Sequence, residues 1–265
     1  MSGHSEGRPV RRKSLGQSFL EDRNILALEA KLANPKNKIV LEIGAGDGRL
    51  TEALLTQKPK KIIAVEKDPR YASILRERFA GRTGTDGCVE VIEADFLELE
   101  FPGDVEIIVG NIPYYISSDI IFKIAKQKFE GAILMVQKEF AEKMVAKPGE
   151  KNYGRLSVTS QIYFNISLER KVLRHLFRPL PKADSAIIVL TPSTLAPSGS
   201  RISLTQHQEN IIRWLFQHKN KTVRNALLDS KMFDEKELEL LGPYLKRRAR
   251  TLTKDECLEI ARILG

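Results

Sequence analysis

Short apolar runs alternate with amphipathic stretches through the first half of the chain. Lys38–Ile43, Lys61–Val65, Val89–Ile92, Val105–Val109 and Gly131–Val136 are compact aliphatic runs of strand length. Between them, Arg49–Gln57, Pro69–Phe79 and Ser117–Ala125 carry helical spacing. Glu21–Ala33, with Ile25, Leu28 and Leu32 on one face, predicts a helix ahead of the first strand, and Lys138–Ala146 predicts one after the fifth. Strands alternating with helices over this span predict a parallel, doubly wound α/β sheet. Ala80–Gly87 is a Gly/Thr loop.

The rhythm changes after Pro148-Gly149. Leu156–Asn165 and Ser185–Leu190 are expected to be further strands. Thr191–Ser200, rich in Pro, Ser and Thr, predicts a linker. From Thr205 onward every apolar cluster has helical period (Ile211, Ile212, Leu215, Phe216; Val223, Leu227, Leu228; Cys257, Leu258, Ile260, Ala261, Leu264). The expected organisation is a basic arm at 1–14, a sheet domain at 15–192 and a small all-helical domain at 193–265.

Composition narrows the class. The 265 residues are 42% hydrophobic and 29% charged, so most of the chain can bury a core. No apolar run approaches the ~18 residues of a membrane span, and the polar, basic start has no signal-peptide core. Two cysteines build neither a disulfide framework nor a four-ligand zinc site, which favours a reducing cytoplasm. The four histidines are scattered, with no metal-ligand spacing. The net charge of +9 is uneven: +3 over residues 1–37, −1 over 38–170 and +7 over 171–265. Basic flanks on a neutral body suit a polyanion held across that body.

The chemistry concentrates at the ends of the predicted strands. Glu42-Ile-Gly-Ala-Gly-Asp-Gly48 follows the first strand. Its GxGxG spacing departs from the GxGxxG of dinucleotide folds and suits S-adenosylmethionine, which has no pyrophosphate. Glu66 ends the second strand, 22 residues after Gly44, where a carboxylate accepts from ribose hydroxyls. Asp95, past the third strand, could hold the adenine amino group. Asn111-Ile-Pro-Tyr114 directly follows the fourth strand. An exocyclic base amine is a poor nucleophile, because its lone pair is delocalised into the ring. Methylating it requires acceptors that hold its N–H groups and aim the lone pair. The Asn111 side chain and the Ile112 or Pro113 carbonyl suit that task, and Tyr114 can stack on the base. A DNA adenine methyltransferase, which uses a similar Asn/Asp-Pro-Pro-Tyr, and a binding factor of the same fold that has lost catalysis are the alternatives.

Seven stretches in order resemble the rRNA adenine N6-dimethyltransferase family of the KsgA type, with a slight lean toward its archaeal members. They are Leu15–Leu20, Glu42–Gly48, Gly110–Tyr114 with Ser117, Gln137–Phe140, Tyr153–Val158, Phe177–Lys182 with Ser185-Ala186, and Phe216–Arg224. The resemblance implies a Rossmann-like S-adenosylmethionine-dependent methyltransferase sheet with a small C-terminal helical domain that contacts rRNA. It implies that Leu20, Gly44, Glu66, Asp95 and Asn111 bind the cofactor. Ser18 stands where the family carries Asn or His against the cofactor. It further implies that Asn111 and Tyr114 hold the target amine and that Phe177 sandwiches the target base. Ile112 replaces the family's usual Leu, and Ala183 its Val. The implied reaction is dimethylation of N6 on two adjacent adenosines in the 3′-terminal hairpin loop of small-subunit rRNA. The implied setting is a pre-ribosomal particle in the cytoplasm, with the enzyme a monomer.

Overall fold

The computed structural model describes residues 18–82, 87–193 and 202–265. The basic arm, Leu15–Gln17 and most of the expected linker fall outside the described residues. The chain divides into two compact units. One comprises residues up to Lys138 together with Glu169–Val189, and the other Glu139–Leu168 together with Leu190–Gly265.

The first unit is built on β2 (Ile39–Ile43), β3 (Lys61–Glu66), β4 (Cys88–Glu93), β5 (Ile107–Asn111) and β6 (Gly131–Gln137), with a short β1 (Phe19–Leu20) ahead of them. β7 (Phe164–Val172) and β9 (Ser185–Pro192) complete a seven-stranded sheet of order β4-β3-β2-β5-β6-β9-β7. The β4–β3, β3–β2, β2–β5 and β5–β6 pairings are parallel. β2, β5 and β6 are apolar runs buried on both faces, as a parallel sheet covered by helices requires. β1 pairs with β8 (Phe177–Arg178) in a separate two-stranded ribbon.

Two helices of this unit start at aspartate caps. α1 (Arg23–Ala33) begins at Asp22, whose carboxylate accepts the Asn24 and Ile25 N–H groups at 2.8 and 3.0 Å. α1 packs against β5 and β6. α2 (Arg49–Leu55) follows the glycine loop. α3 (Pro69–Arg78) has Asp68 as its N-cap and proline in its first turn, and α4 is Ser117–Ala125. The strand order reverses between β2 and β5, and the crevice outside the carboxyl ends of strands at such a reversal is where open α/β sheets take ligands.

The second unit is helical. α5 (Lys138–Val145) leads into it, followed by α6 (Arg155–Tyr163), α7 (Gln206–Gln217), α8 (Val223–Asp229), α9 (Glu235–Glu239) and α10 (Lys254–Ile263). Thr205 and Gln208 form a reciprocal cap on α7, which buries Ile211, Ile212, Leu215 and Phe216. α10 packs on α6 and α7 with Cys257, Leu258, Ile260 and Ala261 inward. Tyr153 is buried and donates its hydroxyl to the Leu252 carbonyl at 2.6 Å.

Two expectations are corrected. Leu156–Asn165 is not a strand: its residues up to Tyr163 form α6. The β-branched residues there suggest a strand, but Ser157 and Ser160 are buried too. Their hydroxyls donate to the Lys143 and Leu156 carbonyls, each at 2.5 Å, so both polar and apolar faces lie inside and the helical period is erased. The chain crosses between the two units at 138–139, 168–169 and 189–190. Residues 139–168, expected in the sheet domain, group instead with the C-terminal helices. Among the described residues, no helix is long and apolar enough to cross a membrane, and no cluster of His, Cys, Asp and Glu could hold a metal.

Candidate active site

The loop after β2 turns back over the end of β3. The Gly44 and Ala45 N–H groups donate to the Val65 carbonyl at 2.8 and 3.2 Å. Gly44 and Gly46 have φ of +72° and +57°, conformations that cost a side chain energy. They differ in surroundings. A Cβ on Gly44 would meet nothing within 4 Å, so that side of the loop is open to a ligand. A Cβ on Gly46 would lie 2.6 Å from Phe19 Cε1, so this glycine makes room for the ring.

Glu66 locks the loop. One carboxylate oxygen accepts the Gly46 N–H at 2.8 Å and the other accepts the Asp68 N–H at 2.8 Å. The group is buried, and burial raises its pKa against the opposing pull of those two donors. The carboxylate keeps acceptor capacity for a further donor such as a ribose hydroxyl. Asp95 follows β4. Its carboxylate pairs with Lys67 Nζ at 2.5 Å and accepts the Leu97 N–H at 2.9 Å, and the lysine bond holds its pKa below the usual range. Leu20 is buried, and its carbonyl accepts from the Arg49 guanidinium at 3.0 Å. Ser18 is half-buried just before β1.

At the end of β5 the chain passes Asn111 and turns. The Pro113 carbonyl takes the Ile116 N–H and the Ser117 hydroxyl, both at 3.2 Å, which fixes the 3-10 turn Tyr114–Ile116. The Tyr114 ring is half-buried, and its hydroxyl is bonded to Ser185 Oγ at 2.7 Å. Burial raises the Tyr114 pKa, so the phenol stays neutral. Asn111 Oδ1 is buried without a hydrogen-bond partner among the described residues.

The fold thus joins Glu66 to Gly46 of the glycine loop, two residues from Gly44, with Asp95 and Asn111 at the ends of other strands of the same sheet. Phe177, expected against the target base, lies in β8. It is 4% exposed and packs in the core cluster with Leu20. Sequence reasoning overlooked two residues. Tyr115 is 62% exposed beside Tyr114, and only the doubled tyrosine hinted at it. Glu29, in α1, is 1% exposed, and neither of its oxygens has a hydrogen-bond partner among the described residues.

In the second unit, Arg155, Arg213 and Trp214 line one cleft. Arg155 has its pKa lowered, first by burial and then by the like charge of Arg213, with Glu209 opposing.

Comparison with known proteins shows the family. The sequence profile of the family described as Ribosomal RNA adenine dimethylase matches residues 10–264. A Methanopyrus kandleri protein named "Probable ribosomal RNA small subunit methyltransferase A" is 45% identical over 220 residues, covering 82% of this chain and 76% of the relative. A Pyrococcus furiosus protein of the same name is 37% identical over 263 residues, covering 96% and 92%. Among solved structures, a dimethyladenosine transferase from Plasmodium falciparum superposes with a TM-score of 0.76 at 30% identity, over 91% of this chain and 95% of that one. The 23S rRNA methyltransferase ErmE superposes at 0.67 and 30% identity, over 93% and 99%.

Proposed function

The chain belongs to the ribosomal RNA adenine dimethylase family, and on that footing we propose that it dimethylates N6 of two adjacent adenosines in the 3′-terminal hairpin loop of small-subunit rRNA. S-adenosylmethionine supplies the methyl group on a sulfonium. The observation that carries the reading is the Asn111–Tyr114 turn at the end of β5, across the sheet's reversal point from the glycine loop of β2.

The residues fit the donor. The open side of Gly44 lets a ligand approach the backbone, Glu66 retains lone pairs for ribose hydroxyls, and Asp95 stands past the next strand for an adenine amino group. For the acceptor, the Pro113 carbonyl is already taken, so Asn111 Oδ1 and the Ile112 carbonyl are the two acceptors left for the amine's N–H groups. Two acceptors held in place draw the nitrogen out of conjugation with the ring and aim its lone pair. This is catalysis by positioning. Tyr114, braced by Ser185, offers a face for the extruded base to stack on. The nitrogen sheds its surplus proton to solvent after each transfer, so no buried base is required.

The net charge of +7 over residues 171–265 and the Arg155–Arg213 cleft support a docking surface for RNA phosphates. In this reading the substrate is a pre-ribosomal particle, and the enzyme acts as a monomer in the cytoplasm. The test is Asn111→Ala. Methyl transfer should fall about 100-fold or more while the variant keeps its fold. Transfer at the wild-type rate would contradict the assigned role.

A further inference from the structure

Three acceptor atoms of two interacting residues lie buried with no hydrogen-bond partner among the described residues. They are Asn111 Oδ1 and both carboxyl oxygens of Glu29, all buried. Buried polar atoms without partners are rare and costly, so such a cluster calls for a physical account. Asn111 is the polar side chain that acts on the Glu29 carboxyl and favours its ionised form. α1, which carries Glu29, packs on β5, which ends in Asn111.

Two arrangements resolve the conflict, and they differ in which end of the carboxamide faces the site. If Glu29 is ionised, it accepts from Asn111 Nδ2, and Oδ1 turns outward. If Glu29 is protonated, it donates to Oδ1, and the NH2 group turns outward. An adenine N6 amine presents only N–H groups to this turn, so only the first arrangement accepts it. We infer that Glu29 is the positioning residue that sets the orientation of the Asn111 carboxamide, holding Oδ1 toward the amine. The inference rests on the role given to Asn111 above.

The groups acting on Glu29 are Asn111 from β5 and Glu42 from β2, the latter tied to the Thr51 hydroxyl at 2.6 Å. Burial raises the Glu29 pKa to about 8, with Glu42 adding to the rise and Asn111 opposing it. Both arrangements are therefore populated near neutral pH, and transfer should speed up as pH rises through that value.

Glu29→Met and Glu29→Gln test the inference in single-turnover methyl transfer to small-subunit rRNA, with S-adenosylmethionine affinity and urea stability measured alongside. Glu29→Met removes a buried acid and should be more stable than wild type. It should bind S-adenosylmethionine within twofold of wild type, yet transfer methyl about 10–100-fold more slowly, the worth of one charged hydrogen bond. Glu29→Gln, which can still accept from Nδ2, should stay within about tenfold of wild type and lose the pH step near 8. Glu29→Met at the wild-type rate, or Glu29→Gln with the wild-type pH step intact, would overturn the inference. So would a Glu29→Met variant that loses stability and activity together. A wild-type enzyme inactive on rRNA would instead refute the functional reading. In that case the Asn111 side-chain amide resonances should still titrate with Glu29 in wild type and be flat in Glu29→Met; a flat wild-type signal would refute the inference by itself.

Discussion

Replacing Gly46 and Gly44 separately distinguishes a glycine needed for packing from one needed for ligand approach. In Gly44→Ala the only structural cost is a side chain at φ +72°, about 1–2 kcal/mol, because nothing lies within 4 Å of the added carbon. Gly46→Ala carries a similar backbone cost at φ +57°, and its Cβ would sit 2.6 Å from Phe19 Cε1. Carbon atoms rest about 3.5–4.0 Å apart, so the ring must move by about 1 Å. It is not free to do so, because it packs on the Tyr71 ring with centroids 5.1 Å apart. Overpacking of this kind costs about 1–3 kcal/mol, for a total of about 2–5. Urea unfolding without ligand reads these values. Adding Phe19→Leu removes Cε1 and Cζ, and the double-mutant cycle should return at least about 1 kcal/mol of coupling. Gly44→Ala should be the milder variant in unfolding and the worse one in S-adenosylmethionine titrations. Equal destabilisation by the two alanines, or no coupling to Phe19→Leu, would refute the contact argument.

Tyr114→Phe should lower methyl transfer about fivefold, since it loses only the Ser185 bond, whereas Tyr114→Ala should lose about 5–150-fold in single-turnover rate with the stacking face. Equal losses would remove stacking from the account. Arg155→Ala and Arg213→Ala should each reduce the slope of log affinity against log salt for rRNA binding by about one, and unchanged slopes would exclude the cleft from the docking surface. Glu29 and Glu42 both have folded pKa values near 8 against an ordinary 4.5. The unfolded chain therefore binds fewer protons than the native one between those values, and stability should fall as pH rises from about 4.5 to 8 and level off above. Urea midpoints across that range should show a smaller fall in Glu29→Met, and a pH-independent wild type would contradict the burial of both acids.

The sheet, and the loops at its strand ends that form the candidate site, are legible because they carry strong local signals. Largely aliphatic runs such as Ile39–Ile43, in which Glu42 is the one acid, are buried on both faces, and the glycine loop and the Asn111–Tyr114 turn stand directly after such runs. α6 was not legible, because its buried serines satisfy themselves with nearby carbonyls and leave no amphipathic period. β7 was missed for the opposite reason: between Phe164 and Val172 most of its residues are exposed and polar, so no apolar run marks it. Phe177 stands in a recognisable motif, but the motif does not reveal that its ring is packed away. Glu29 was visible only as one charge in a helix. Its spacing, four residues after Ile25 and four before Ala33, puts it on the buried face, and that conflict was the available signal.

Methyl transfer to unmethylated small ribosomal subunits, followed by nucleoside analysis of the rRNA, tests the central claim most directly. The account predicts N6,N6-dimethyladenosine in small-subunit rRNA, two residues per particle, and none in Asn111→Ala. Methylation confined to large-subunit rRNA or to duplex DNA, or no transfer by an enzyme that binds S-adenosylmethionine, would contradict it.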